Sequence, residues 1–210
     1  MFSIRSRAAE SLFYPFFFVA ILWAIRIFES VSGIDLSHYG ILPWTVQGLI
    51  GILFSPLIHG NFDHLMSNTL PLLILGIIVV YFYRKIAFEV FFWIYFMTGV
   101  WVWLMKSSHG YHIGASGLVY GFLSFLFFSG VFRKDTRSIA LAILVTSVYG
   151  GLIWGIFPTQ TGVSWQSHFF GALSGAICAY QYRKTLAVSD PPKEPAKPAE
   201  PDTFNPDLFR

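Results

Sequence analysis

Charge is what this sequence lacks. Only 12% of its 210 residues are Asp, Glu, Lys or Arg, against about 25% in a typical globular domain. Hydrophobic residues make up 55%, and the mean hydropathy is +0.59. The scarcity of charge excludes a soluble domain with a solvated polar shell and leaves long apolar runs that read as membrane helices. Cysteine is also nearly absent. Cys178 stands alone in an apolar run, which rules out an intramolecular disulfide framework and a Cys-based metal site. No repeat of fixed period occurs. Proline is sparse until the end, where residues 185–210 hold six of the eleven prolines among alternating charges. That segment has too little apolar surface to fold, and it is expected to be a disordered cytoplasmic tail.

What is present is a series of apolar runs separated by marked turns. Residues 1–11 form a short polar N-terminus with Arg5 and Arg7. Residues 12–28 are the first apolar run. It ends in Arg26 and Glu29 without a small-residue cleavage site, and it is read as a retained span rather than a signal peptide. Residues 29–62 are apolar but broken by glycine and proline. Their longest clean piece, 46–58, covers about two-thirds of a crossing, so this first external loop is expected to lie partly in the membrane. Trp44 suits an interface anchor. Five further spans follow at 63–83, 86–105, 115–132, 138–156 and 167–182. The expected fold is therefore an all-α polytopic membrane protein with a six-helix domain over 12–184.

Orientation follows from Lys and Arg. With six spans, Arg5, Arg7, Arg84, Lys85, Arg133, Lys134, Arg137, Arg183 and Lys184 fall on one side, and only Arg26 and Lys106 on the other. Both termini are expected in the cytoplasm and the protein in a bacterial inner (plasma) membrane. The bilayer is an expected partner; nucleic acid is not.

Spans two, four and six run in the same direction, and each carries polar residues in its outer turns. Asn68, Ser116 and His168 precede the basic residues Arg84, Arg133 and Arg183 by 16, 17 and 15 positions. At 1.5 Å per residue they stand about 24, 25 and 22 Å above that side, in one layer of a hydrocarbon core about 30 Å thick. His64 and Asn68 share a helix face, as do Ser116 and Tyr120. Gly117 and Gly121 form one GxxxG stripe below Ser116, and Gly171 and Gly175 another below His168. Small residues at this spacing let membrane helices touch, so spans four and six are expected to pack directly and bring Ser116 to His168.

A serine becomes a useful nucleophile when a base takes its proton, and histidine does so near neutral pH. The oxyanion that follows needs donors: the Ser116 amide at a helix N-terminus, the Asn68 amide and the His64 imidazole. Gly114 and Gly117 leave room for a close approach. No carboxylate shares the layer, so the expected machinery is a Ser116–His168 dyad whose base is held by packing against Tyr120.

These residues carry a family resemblance. His59…His64-Leu-Met-Ser-Asn68, Gly114-Ala-Ser116-Gly117-Leu-Val-Tyr120-Gly121 and His168-Phe-Phe-Gly171-Ala-Leu-Ser-Gly175 resemble, in this order, the motifs of the rhomboid intramembrane serine proteases over roughly 12–184. The resemblance implies Ser116 as nucleophile, His168 as base, His64 and Asn68 in the oxyanion hole, and Tyr120 stacked on His168. Trp44 is followed by Thr45 rather than the arginine many members carry. The implied substrates are single-pass membrane proteins. An intact helix shields its peptide bonds, so cleavage is expected near the external end, where small residues or proline weaken the helix. The Gly-rich loop 107–115 is expected to line a water-filled cavity.

Two other readings compete. One is a catalytically inactive relative that only binds transmembrane helices. The other is a metallohydrolase with His59, His64, His109 and His112 as ligands. No carboxylate or cysteine joins those histidines, so no metal and no cofactor is expected. His38 and His59 are read as loop-packing residues.

Overall fold

A computed structural model describes residues 4–105, 110–158 and 164–185. Seven α-helices are described: α1 Ile4–Ser32, α2 Val46–Phe54, α3 Phe62–Phe82, α4 Ala87–Leu104, α5 Ser116–Arg133, α6 Thr136–Tyr149 and α7 Trp165–Gln181. A 3-10 segment, Gly150–Ile156, continues α6. No strand occurs among the described residues; Ile41 and His112 form an isolated antiparallel bridge. The tail beyond Thr185, Lys106 and His109 lie outside the described residues.

Side-chain caps explain several helix starts. Asn61 accepts from the His64 amide at 2.7 Å, Asp135 from Ser138 at 3.0 Å and Thr45 from Gly48 at 2.9 Å, each worth about 1 kcal/mol. Burial resists ionisation of Asp135, but its bonds from Ser138 and Arg133 outweigh this and hold the carboxyl below its ordinary value. The chain leaves α5 through Lys134 in the left-handed region.

The first helix is longer than the apolar run. It starts at Ile4 rather than residue 12 and carries Pro15 inside it. Its polar turn is tied down by the Glu10–Arg84 ion pair at 2.6 Å. Five helical segments are long and apolar enough to cross a membrane: Arg7–Ser32, Phe62–Phe82, Ala87–Leu104, Ser116–Arg133 and Thr136–Ile156. The expected sixth, α7, has 17 residues. Their outward faces are apolar, with Phe17, Trp93, Ile143 and Val148 all exposed. A bundle that turns such side chains outward suits lipid rather than water.

Helix α5 is the axis of the bundle. It buries 12 of its 18 residues and makes the most extensive helix contact, with α7, while α6, α3 and α4 also pack on it. Its Leu118, Phe122, Phe125 and Leu126 meet Leu75, Val79, Val90 and Ile94 in the core. The expected partly embedded loop is α2 with a 3-10 turn, Ser55–Leu57. It lies on α4, where Tyr95 donates to the Leu53 carbonyl and Trp103 Nε1 to the Thr45 carbonyl at 2.8 Å.

The basic turns collect at one end. Arg84 meets Glu10 of α1, Arg133 donates to the Thr185 carbonyl after α7, and the Tyr83 hydroxyl lies 3.1 Å from that of Ser138 on α6. The polar layer lies toward the opposite end.

Candidate active site

Two glycine stripes bring α5 against α7. A Cβ on Gly171 would overlap the Gly117 carbonyl and lie 2.9 Å from its carbon. A Cβ on Gly175 would do the same at Gly121, again 2.9 Å from the carbon. The helices meet backbone to backbone through these four positions, in the register expected.

That contact brings Ser116 and His168 together. Ser116 Oγ and His168 Nε2 are 2.8 Å apart, and both residues are buried. His168 Nδ1 lies 2.9 Å from the Gly155 carbonyl oxygen. A carbonyl only accepts, so this contact puts the proton on Nδ1 and leaves Nε2 free to accept from the serine hydroxyl. The Tyr120 ring stacks on the imidazole with centroids 4.1 Å apart and planes 10° from parallel. The His168 ring is thus held by the Tyr120 stack and also by a backbone acceptor that no side-chain pattern announces. Gly155 has to be glycine: a Cβ there would overlap the Tyr120 hydroxyl and sit 3.1 Å from His168 Nδ1.

The third wall comes from α3. His64 and Asn68 line the cavity that holds Ser116 and His168. One Asn68 amide hydrogen goes to the His64 carbonyl at 3.1 Å, and the other remains to donate. Gly114 adopts φ +109, and a Cβ there would lie 2.7 Å from His64 Nε2, so the loop before Ser116 passes against the imidazole only as glycine. Helix α5 begins at Ser116 after Ala115, which provides no side-chain cap. The first-turn amides at Ser116 are therefore among the open donors of a helix N-terminus.

His59 does more than pack. It is 1% exposed, and its Nε2 accepts from the Ala115 amide at 3.3 Å. Burial, and then the neighbouring His64, hold this imidazole well below its ordinary range, which keeps it neutral and able to accept. His59 thereby anchors the residue before Ser116. Its only sequence signal is its place five residues ahead of His64. His112 Nδ1 is 2.7 Å from the Ser164 hydroxyl. Among the described residues no three of His, Cys, Asp and Glu gather as a metal site.

The cavity measures about 770 Å³. Gly110, Tyr111 and His112 line it from the described part of the Gly-rich loop, Ser67 and Pro71 from α3, and Leu152 from the 3-10 segment. Among the described residues, helices α3 and α6 make little contact with each other.

Comparison with known proteins follows the same outline. A family model described as Rhomboid domain matches residues 46–185. An uncharacterized protein of Mycobacterium tuberculosis is 39% identical over 175 residues, covering 78% of this chain and 71% of the relative. An uncharacterized protein of Mycobacterium bovis matches to the same extent. One of Mycobacterium leprae is 36% identical over 185 residues, covering 82% of this chain and 73% of the relative.

Proposed function

We infer the function from one premise: the chain belongs to the rhomboid family. It is an integral membrane protein, and we propose that it is a serine endopeptidase. It cuts single-pass membrane proteins within the bilayer, near the external end of the transmembrane segment. The observation that carries this reading is the 2.8 Å contact between Ser116 Oγ and His168 Nε2 inside a wide cavity. A buried serine–histidine pair whose second nitrogen faces a carbonyl acceptor is organised for proton transfer. A purely structural serine would return its hydroxyl to its own helix.

In this reading His168 Nε2 takes the Ser116 proton as Oγ attacks the scissile carbonyl. The oxyanion is met by the Ser116 amide, the Asn68 side chain and the His64 ring. His168 returns the proton to the leaving amine, and an acyl-enzyme remains on Ser116. Water, losing a proton to His168, then hydrolyses it and regenerates the serine. The sparse contact between α3 and α6 supports lateral entry of the substrate on that side. The basic turns gathered at the far end support cytoplasmic termini in a bacterial inner membrane, and they support six crossings, with α7 as the last.

Fluorophosphonate labelling of the detergent-solubilised protein tests the assignment: the intact protein is labelled and Ser116→Ala is not. Cleavage is expected to survive strong chelation, because a dyad needs no ion. Activity lost in chelator and restored by zinc would favour the metallohydrolase. Cleavage is also expected to depend on local unwinding of the substrate. Replacing the Gly or Pro residues near the cut of a cleaved reporter with Leu should slow it about tenfold or more, since each replaced helix breaker stiffens the segment by roughly 1–3 kcal/mol. Unchanged cleavage of the stiffened helix, or a cut mapped to its cytoplasmic end, would overturn the entry scheme.

A further inference from the structure

We propose that Asp63 is a specificity-determining residue that makes the site favour basic over acidic side chains on the outer flank of the cut; this rests on the protease reading above. Among the described residues lining the 770 Å³ cavity, Asp63 alone carries a formal charge. It is exposed, one position before His64 in the first turn of α3. The cap of that helix comes from Asn61, whose side chain accepts from the His64 amide, so Asp63 is not needed to close it. Asp63 pairs with no other described side chain. Asp63 lines the cavity and is exposed, so its carboxylate is free to meet a charged group there.

Position sets where that charge acts. Asp63 precedes Asn68 by five residues, about 7.5 Å along the helix axis, toward the end of the bundle away from Arg84 and Arg133. A substrate unwound for attack extends about 3.3 Å per residue. The carboxylate is thus level with substrate residues about two to three positions from the scissile bond, on the side leading out of the membrane. At the mouth of a cavity walled by apolar helices, the field of one charge is less damped than in open water. A lysine or arginine there is attracted and a glutamate or aspartate repelled, which is selection by a favourable and an unfavourable contact together.

The experiment uses the full-length protein in proteoliposomes and a single-pass reporter that it cleaves. Lys, Gln or Glu is placed two and three residues outward of the mapped cut, and ratios of kcat/KM are read. The intact protein is expected to cleave the Lys reporter about tenfold faster than the Glu reporter. In Asp63→Asn the ratio should fall toward one, and in Asp63→Lys it should invert. Ratios are the readout because an aspartate that served only the helix N-terminus would, when replaced, change all three rates together and leave the ratio intact. A ratio near one in the intact protein, or one unmoved by Asp63→Asn, overturns the proposal. Absence of both reporter cleavage and Ser116 labelling overturns the protease reading instead, and this proposal with it.

Discussion

Ser116→Ala is expected to abolish cleavage, with a fall in kcat of at least about 10⁴-fold, and His168→Ala to do nearly the same. The 2.8 Å contact makes the two side chains one device. On the proposed mechanism no acyl-enzyme forms without the hydroxyl, and without the imidazole nothing takes the proton from a serine that is otherwise a weak nucleophile. The double variant should therefore be no worse than either single one, because groups that act as a unit lose their effect together. Thermal unfolding and gel filtration of Ser116→Ala should match the intact protein, since removing one hydroxyl from a cavity-lining residue leaves α5 packed through its glycines. Asn68→Ala should be milder, a loss of about 10²–10³-fold or less, because the Ser116 amide and His64 remain as donors. Substantial cleavage by Ser116→Ala, yielding the same product, would remove the dyad from the mechanism.

The legible parts of this protein were those written in side chains that lipid constrains. An apolar run in a bilayer favours a helix, so the turns at 84–85 and 133–137 located α3, α4 and α5 closely, whereas the run expected over 138–156 is α6 only to Tyr149 and continues as 3-10 helix. Glycine spacing was as informative: the register of Gly117 and Gly121 against Gly171 and Gly175 implied the helix pair that joins Ser116 to His168. Two features were hidden because they depend on backbone groups. The acceptor for His168 Nδ1 is the Gly155 carbonyl, and no side-chain pattern announces a carbonyl. His59 acts through a backbone amide, that of Ala115, a partner that its place in the sequence motif does not disclose. The start of α1 was missed for another reason. Residues 4–11 are polar enough to read as a tail, and they are helical beside the Arg84 turn, where Glu10 finds an ion pair that hydropathy does not register.

Gly171→Ala and Gly175→Ala should each lower kcat/KM by about 10²-fold or more. Even the smallest side chain is too large at either position. The first carbon of any side chain at Gly171 already overlaps the carbonyl of Gly117, and at Gly175 that of Gly121. Both obstacles are main chain within a helix and cannot rotate away, so α7 has to move from α5 by an ångström or so. His168 sits one turn before Gly171 on the moving helix, while Ser116 stays on α5. A misplacement of about 1 Å at reacting groups costs about 10²-fold. The same overpacking should cost about 1–3 kcal/mol in stability, so activity is compared at a temperature well below unfolding. Gly151→Ala is the control, because a Cβ there meets nothing within 4 Å, and neither rate nor unfolding should change. Gly121→Ala should fall between. Its new carbon meets first the Ile94 side chain rather than main chain, and lies 3.2 Å from the Gly171 carbonyl. The ranking separates helix contact from a general sensitivity to substitution. If Gly175→Ala cleaved as fast as Gly151→Ala, the distance between Ser116 and His168 would not be set by this stripe.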